Sequence, residues 1–178
     1  TRPVERGYAN RTLYIDLATN TIREKPVTQQ MKDIFTGGRG FCNWLLWNAV
    51  TPETRWDSPE NEIVIAGGPI GGITAYPGSG KATVMTVSPL TGSAIDSNTG
   101  GYFGPYLKFS GWDALEIQGI ADRDVIIVID GDSGRVTIED APLEPLDTHL
   151  IGPMLTEMYG ANERDRRNVS VISTGQAA

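Results

Sequence analysis

Three short stretches of this chain combine residue types that can hold an anion. Asn98-Thr99-Gly100-Gly101 sets an amide and a hydroxyl beside a glycine pair, just ahead of an apolar helical pattern. Glycines there leave backbone N–H and C=O groups open, and such a nest can take a diphosphate directly or through a bridging cation. Gly78-Ser79-Gly80-Lys81 places one ammonium on a glycine-rich turn. It is not a phosphate loop, which needs glycine where Ala75 stands, Ser or Thr where Ala82 stands, and a helix after the lysine. What survives is a cation beside free N–H groups, with an exposed turn lysine as the plainer alternative. Gly37-Gly38-Arg39-Gly40 precedes a helical pattern whose positive end suits an anion. Arg39 either serves that ligand or is a solvated arginine in a helix–helix turn.

Other reactive types point to less. His149 is the single histidine, and no serine or cysteine motif accompanies it, which argues against a triad or a histidine-built metal site. Asp130 and Asp132 flank a glycine as in calcium loops, but no glutamate follows at the twelfth position, so a hairpin turn is expected. The single cysteine, Cys42, excludes an internal disulfide framework, an iron–sulfur cluster and a cysteine-based zinc site made by this chain alone. No GxGxxG opens a helix, so a Rossmann nucleotide site is unsupported. Trp44 and Trp47, three apart, read as core and interface.

The elements that must position these residues follow from periodicity. Arg11–Asp16 and Thr19–Lys25 read as a hairpin, Gln29–Phe35 as a short helix, and Phe41, Trp44, Leu45 and Ala49 as one face of a second helix ending before Pro52. Glu62–Ala66 and Ala82–Val87 read as strands. The stretch from Ser88 to Gly111 resembles neither strand nor helix until Tyr102, where a short helix to Phe109 is expected. Asp113–Gln118, Val125–Ile129 and Arg135–Glu139 are strands, the last two forming a hairpin. A helix over Leu150–Tyr159 requires Pro153 in its first turn, and Val169–Ile172 reads as a last strand running into a turn at Gly175.

Strands outnumber helices and come in hairpins, which predicts an α+β fold with mixed or antiparallel sheets and short helices. A coarse echo, hairpin, helices and glycine knot, suggests two similar halves. The 178 residues read as one domain, and the ending just after a strand and its turn suggests a piece of a larger protein. The 21 glycines gather in knots at element ends, at Gly37–Gly40, Gly67–Gly72, Gly78–Gly80 and Gly100–Gly101. That placement suits tight turns or backbone approaching a ligand. A net charge of -7 argues against duplex nucleic acid, which demands Lys and Arg. No apolar run approaches a membrane span of about 20 residues and no signal pattern opens the chain, so the default expectation is cytoplasmic.

In order, "RTLYIDLATNTI", "FTGGRGFCNWLL", "SPENEIVIAGGPIGG", "PGSGKATVMTVSPLTG", "DSNTGGYFGPYLKFSGWDALEIQG" and "VIIVIDGDSGRVTIEDAP" resemble the N-terminal domain of the tungsten-dependent aldehyde:ferredoxin oxidoreductases. The resemblance runs from about Tyr8 to Pro142, and "VISTGQAA" is similar to the place where that domain continues. It implies an α+β base on which a tungsten (or molybdenum) bis-molybdopterin cofactor sits, its phosphates joined by magnesium. By position, Asn98 would offer its backbone carbonyl to that magnesium, and Gly100, with Gly101 beside it, would contact the pterin. Lys81 falls where the family commonly has an arginine between pterin and cluster; lysine keeps the charge but loses the planar fork. A [4Fe–4S] cluster, the residues near the metal and a second phosphate-contacting stretch would lie outside this chain, in the full-length enzyme.

The expectation is therefore a cofactor-binding domain, not catalytic by itself, of an enzyme that oxidises aldehydes to carboxylic acids. Its partners would be the remaining domains, the aldehyde, and ferredoxin as electron acceptor; a homo-oligomer is left open. The competing expectation is a stand-alone, non-enzymatic pterin- or anion-binding or scaffolding module.

Overall fold

The computed structural model describes residues 5–142 and 147–174. They fall into two compact units, residues 1–139 and 140–178. The first is built on a six-stranded sheet in the order β2-β1-β6-β3-β4-β5. Its strands are β1 (Arg11–Asp16), β2 (Thr21–Pro26), β3 (Glu62–Ala66), β4 (Ala82–Val87), β5 (Ala94–Thr99) and β6 (Ala114–Gln118). β1 and β6 are parallel and every other neighbouring pair is antiparallel, so the sheet is mixed, as expected.

While β2 and β5 are largely exposed, both faces of the sheet carry packed layers over the central strands. On one lie α1 (Gln29–Phe35) and α2 (Arg39–Ala49), whose Met31, Phe41, Cys42, Leu45 and Leu46 pack on Val64, Ala66, Met85 and Ala114. The Thr28 hydroxyl caps α1 by accepting from the Met31 N–H, filling one of the donors a helix start leaves open. Trp44 is half-buried beside Phe35, whereas Trp47 is 81% exposed. The opposite face holds Leu13, Ile15, Ile65, Leu107, Trp112 and Leu115. Partly buried Ile127, Ile129, Val136 and Ile138 join them from the hairpin of β7 (Val125–Asp130) and β8 (Arg135–Asp140), while α3 (Phe103–Phe109) contributes Leu107.

The two hairpins use one turn chemistry. Asp16 accepts from the N–H groups of Ala18 and Thr19, and Asn20 turns at φ 52; Asp130 accepts from those of Asp132 and Ser133, and Gly134 turns at φ 71. The resemblance between the halves stops there: β7 and β8 form a two-stranded sheet of their own, and the described residues contain no second six-stranded sheet.

Three expectations need correction. Ala94–Thr99, taken as irregular, is strand β5, paired along its whole length with β4. The turn between them is closed by Ser88, whose N–H donates to the Ser93 carbonyl and whose hydroxyl accepts from Leu90 and Thr91. In the second unit, α4 (Thr148–Tyr159) starts two residues earlier than expected. Asp147 caps it, so Pro153 falls in the second turn and deprives the His149 carbonyl of its helical donor. Val169–Ile172 is not in a strand; before it lies the short α5 (Glu163–Arg166). Gly175 lies outside the described residues.

Candidate functional site

Because β3, β4 and β5 alternate in direction, the end of β3, the start of β4 and the end of β5 meet at one end of the sheet. Ala66 lies opposite Thr83, and Thr83 opposite Asn98. α2 begins at the same end. The glycine knots, scattered through the sequence, therefore converge. The Gly38 N–H donates to the Gly67 carbonyl at 2.9 Å, and the Gly72 N–H to the Ser79 carbonyl at 3.0 Å. A Cβ on Gly80 would stand 2.7 Å from the Gly101 carbonyl oxygen, so only glycine lets these segments close. Gly101 itself, at φ +84, has nothing within 4 Å of the corresponding position and faces open space.

The sequence-derived site residues sort themselves around this end. Lys81 is exposed, directly before β4, and among the described residues it has no ion-pair partner. Its Nζ lies 3.9 Å from where a Cβ on Gly100 would be, so Lys81, Gly100 and Gly101 share one small surface. Asn98 is exposed on β5, and among the described residues its amide has no hydrogen-bond partner. β5 is the last strand in the sheet order, so its outer edge has no strand beside it among the described residues. Alternate backbone carbonyls of such an edge are unpaired.

Arg39 is brought to the same face but is engaged. Its Nη2 lies 2.7 Å from Asp96 Oδ2, and Asp96 is two residues before Asn98. The pair ties the first turn of α2 to the edge strand. With side chains 61% and 25% exposed, its worth is on the order of 0.5 kcal/mol.

Sequence reasoning missed the anchor below the glycines. Asp113, almost fully buried, accepts from the N–H groups of Ala9 and Asn10 at 3.0 and 2.7 Å and from the Lys108 ammonium. Lys108 donates also to the Gly7 carbonyl at 2.9 Å. The Gly67 N–H reaches the Asp113 carbonyl at 3.4 Å. The pair joins residues five apart across the end of α3, where periodicity carries no signal. Cys42 is buried behind the site, with its thiol donating to the Thr83 carbonyl at 3.4 Å. Burial pushes this thiol up to about 12, which makes it a packed neutral group and not a ligand.

His149 belongs to the second unit and is exposed at the start of α4. Asp130 and Asp132 form the hairpin turn expected of them, the Ser133 hydroxyl and backbone N–H holding the Asp130 carboxyl below its usual value. Among the described residues no group of three or more His, Cys, Asp or Glu side chains could hold a metal ion, and no helix is long and apolar enough to cross a membrane.

The chain as a whole has known relatives. Residues 12–178 match the family model described as aldehyde ferredoxin oxidoreductase, N-terminal domain. A tungsten-containing aldehyde ferredoxin oxidoreductase of Pyrococcus horikoshii is 40% identical over 173 residues, 96% of this chain and 27% of that protein. The enzyme of the same name from Pyrococcus abyssi is 36% identical over the same shares. A solved structure, the active-site complex BamBC of benzoyl coenzyme A reductase in complex with 1,5-dienoyl-CoA, superimposes with a TM-score of 0.80 at 29% identity. That match covers 85% of this chain and 23% of the other. This chain thus spans about a quarter of the length of these curated relatives. A mixed sheet with short helices, an end gathered from glycines, and identity along nearly its whole length lead to one assignment: the chain belongs to the aldehyde ferredoxin oxidoreductase family, as its N-terminal domain.

Proposed function

We propose that residues 1–178 form a single cofactor-binding domain whose glycine-lined end is one wall of a tungsten–pterin site. The observation that carries this reading is the surface shared by Lys81, Gly100 and Gly101, with Asn98 two residues before Gly100 on the edge strand. A side chain on Gly100 would fill the space in front of the Lys81 ammonium, and Gly101 is open. A flat, phosphorylated ligand needs such a surface: backbone within reach, one free cation, and no Cβ in the way.

The residues present fit a bis-molybdopterin group carrying tungsten (or molybdenum). When bound, that group would supply the two-electron redox chemistry. Lys81 would place a point charge against phosphate or pterin oxygens, without the bidentate fork an arginine would offer. Asn98 would offer its backbone carbonyl on the open edge to a magnesium ion between phosphates, a hard cation that takes oxygen ligands. Gly100 and Gly101 would let the ring lie against the backbone. Arg39, held by Asp96, would position β5 and only secondarily touch an anion.

In the full-length enzyme we infer oxidation of an aldehyde to a carboxylic acid, with electrons passing through a [4Fe–4S] cluster to ferredoxin. The relatives named tungsten-containing aldehyde ferredoxin oxidoreductases support that reading. The test is aldehyde-dependent reduction of ferredoxin by the full-length protein purified anaerobically with its metal. Turnover with aldehydes and tungsten bound in proportion to pterin is expected; full pterin and metal loading with no aldehyde turned over would overturn the assignment of the reaction.

A further inference from the structure

At the end of the sheet away from the glycines lie two glutamates that the proposed function does not use. Glu62 opens β3 and Glu116 lies in β6, each 1% exposed. Glu62 is four residues from Ala66, so about 13 Å of strand separates it from the level of Asn98. In the β3–β6 register Val64 is opposite Glu116 and Glu62 opposite Gln118. The two carboxyls are therefore diagonal neighbours on one face, within reach of each other as long side chains.

Their surroundings are unequal. Glu116 Oε1 accepts from the Thr12 hydroxyl at 2.5 Å, and Oε2 from the Lys25 ammonium at 2.6 Å. Glu62 Oε2 is buried without any hydrogen-bond partner. Among the described residues no hydrogen bond or ion pair brings it a second cation; Arg23 of β2 and Asp16 of β1 lie on the same face, beside Tyr14. Tyr14, from β1, donates its hydroxyl to Gln118 Oε1, and Gln118 donates its amide to the Glu60 carbonyl. β4 offers Thr86 and Val87 near this level, both neutral, and the only charged side chain on α2 is Arg39, which pairs with Asp96. Lys25 also lies 4.0 Å over the Tyr14 ring. One ammonium thus faces two buried carboxyls.

Two ionised carboxylates there would leave one buried negative charge without an ion-pair partner, which desolvation disfavours. A proton on one of them removes that charge. We propose that Glu62 is a proton-binding site of the folded domain: Lys25 and Thr12 are taken by Glu116, and the sheet is built around the neutral Glu62 carboxyl. Burial first, and the Glu116 carboxylate second, push Glu62 up to about 7 from 4.5, with Lys25 opposing. A carboxyl raised on folding stabilises the fold fully below its unfolded value. That contribution is lost as pH rises from 4.5 through about 7. The domain is therefore proton-stabilised, at a place remote from the candidate cofactor surface.

The test is infrared difference spectroscopy of the full-length protein between acidic and alkaline pH, following the carbonyl stretch that only a protonated carboxyl gives. The wild type should show this band at pH 6, lose it as the pH passes about 7, and Glu62→Gln should lack it. Identical spectra for the two proteins in that region at pH 6 would overturn the proposal. Should Glu62→Gln fail to accumulate, Lys25→Met decides. Removing the opposing ammonium should move the loss of the band upward by roughly one pH unit or more, and a band that titrates where it does in the wild type would overturn it.

Discussion

The ammonium of Lys81 lies 3.9 Å from the position a side chain would take on Gly100, although the two residues are nineteen apart in sequence. The β4–β5 ladder makes the contact, since Ala82 pairs with Thr99 and the next residues outward are Lys81 and Gly100. An exposed lysine, without an ion-pair partner among the described residues, is set beside open backbone at the end of an edge strand.

If that ammonium serves a phosphate, its removal weakens retention of the pterin without unfolding the domain. Lys81→Met in the full-length protein should lose cofactor about tenfold faster on dialysis, the worth of one charge-assisted contact. Lys81→Arg should retain it at least as well as the wild type. Pterin remaining per chain over time is the measurement.

The Arg39–Asp96 bridge is half in water, and its loss is expected to be mild. Asp96→Asn should change stability by about 0.5 kcal/mol or less. It should also free Arg39 for anions, so added phosphate should protect the variant against unfolding more than it protects the wild type. Thermal unfolding with and without phosphate reads both effects.

Asp113 is a different case, because its partner is a buried ammonium. Asp113→Asn would leave Lys108, whose side chain is 6% exposed, without its counter-charge, at a cost of about 3–5 kcal/mol. Denaturant unfolding should show a large loss of stability. Limited proteolysis should show cleavage near Gly7 and Gly67, the segments that this pair ties down.

Gly80→Ala tests the close approach of the turns. The added methyl would press on the Gly101 carbonyl oxygen from 2.7 Å, so the backbone must shift, at about 1–3 kcal/mol. The shift separates the segments before β4 and after β5. Loss of pterin together with stability is expected, in contrast to Lys81→Met, where pterin alone is lost.

Much of this fold was legible in the residues, and the misses have physical causes. α1 carries a helical apolar pattern, β3 and β4 are apolar and β-branched runs, and structure and expectation agree on their ends. β5 escaped because Asp96, Ser97 and Asn98 are turn formers with low strand preference; β4 supplies the ladder that overrides them. The glycine knots were visible one by one, but their meeting depends on the alternating directions of β3, β4 and β5, which no local pattern encodes. Asp96, Asp113 and Lys108 were invisible as site-supporting groups for the same reason: their partners are set by tertiary contacts. Glu62 and Glu116 were read only as members of strands; their 1% exposure comes from tertiary packing that no local pattern encodes. Lys81, Asn98, Gly100, Gly101 and Arg39 were named from residue type and resemblance before any geometry; the structure sets Lys81 beside Gly100, puts Asn98 on the same edge strand and pairs Arg39 with Asp96.

The central claim is that this surface holds the pterin, and Gly100 tests it most directly. A branched side chain there would make ordinary contact with Lys81 Nζ and project where the ligand is placed, while no backbone atom obstructs it. Pterin and tungsten per chain should be measured in full-length wild type and Gly100→Val, beside their unfolding midpoints. The account predicts a Gly100→Val protein that folds with a midpoint near that of cofactor-free wild type and carries almost no pterin; normal pterin and tungsten loading in that variant would contradict it.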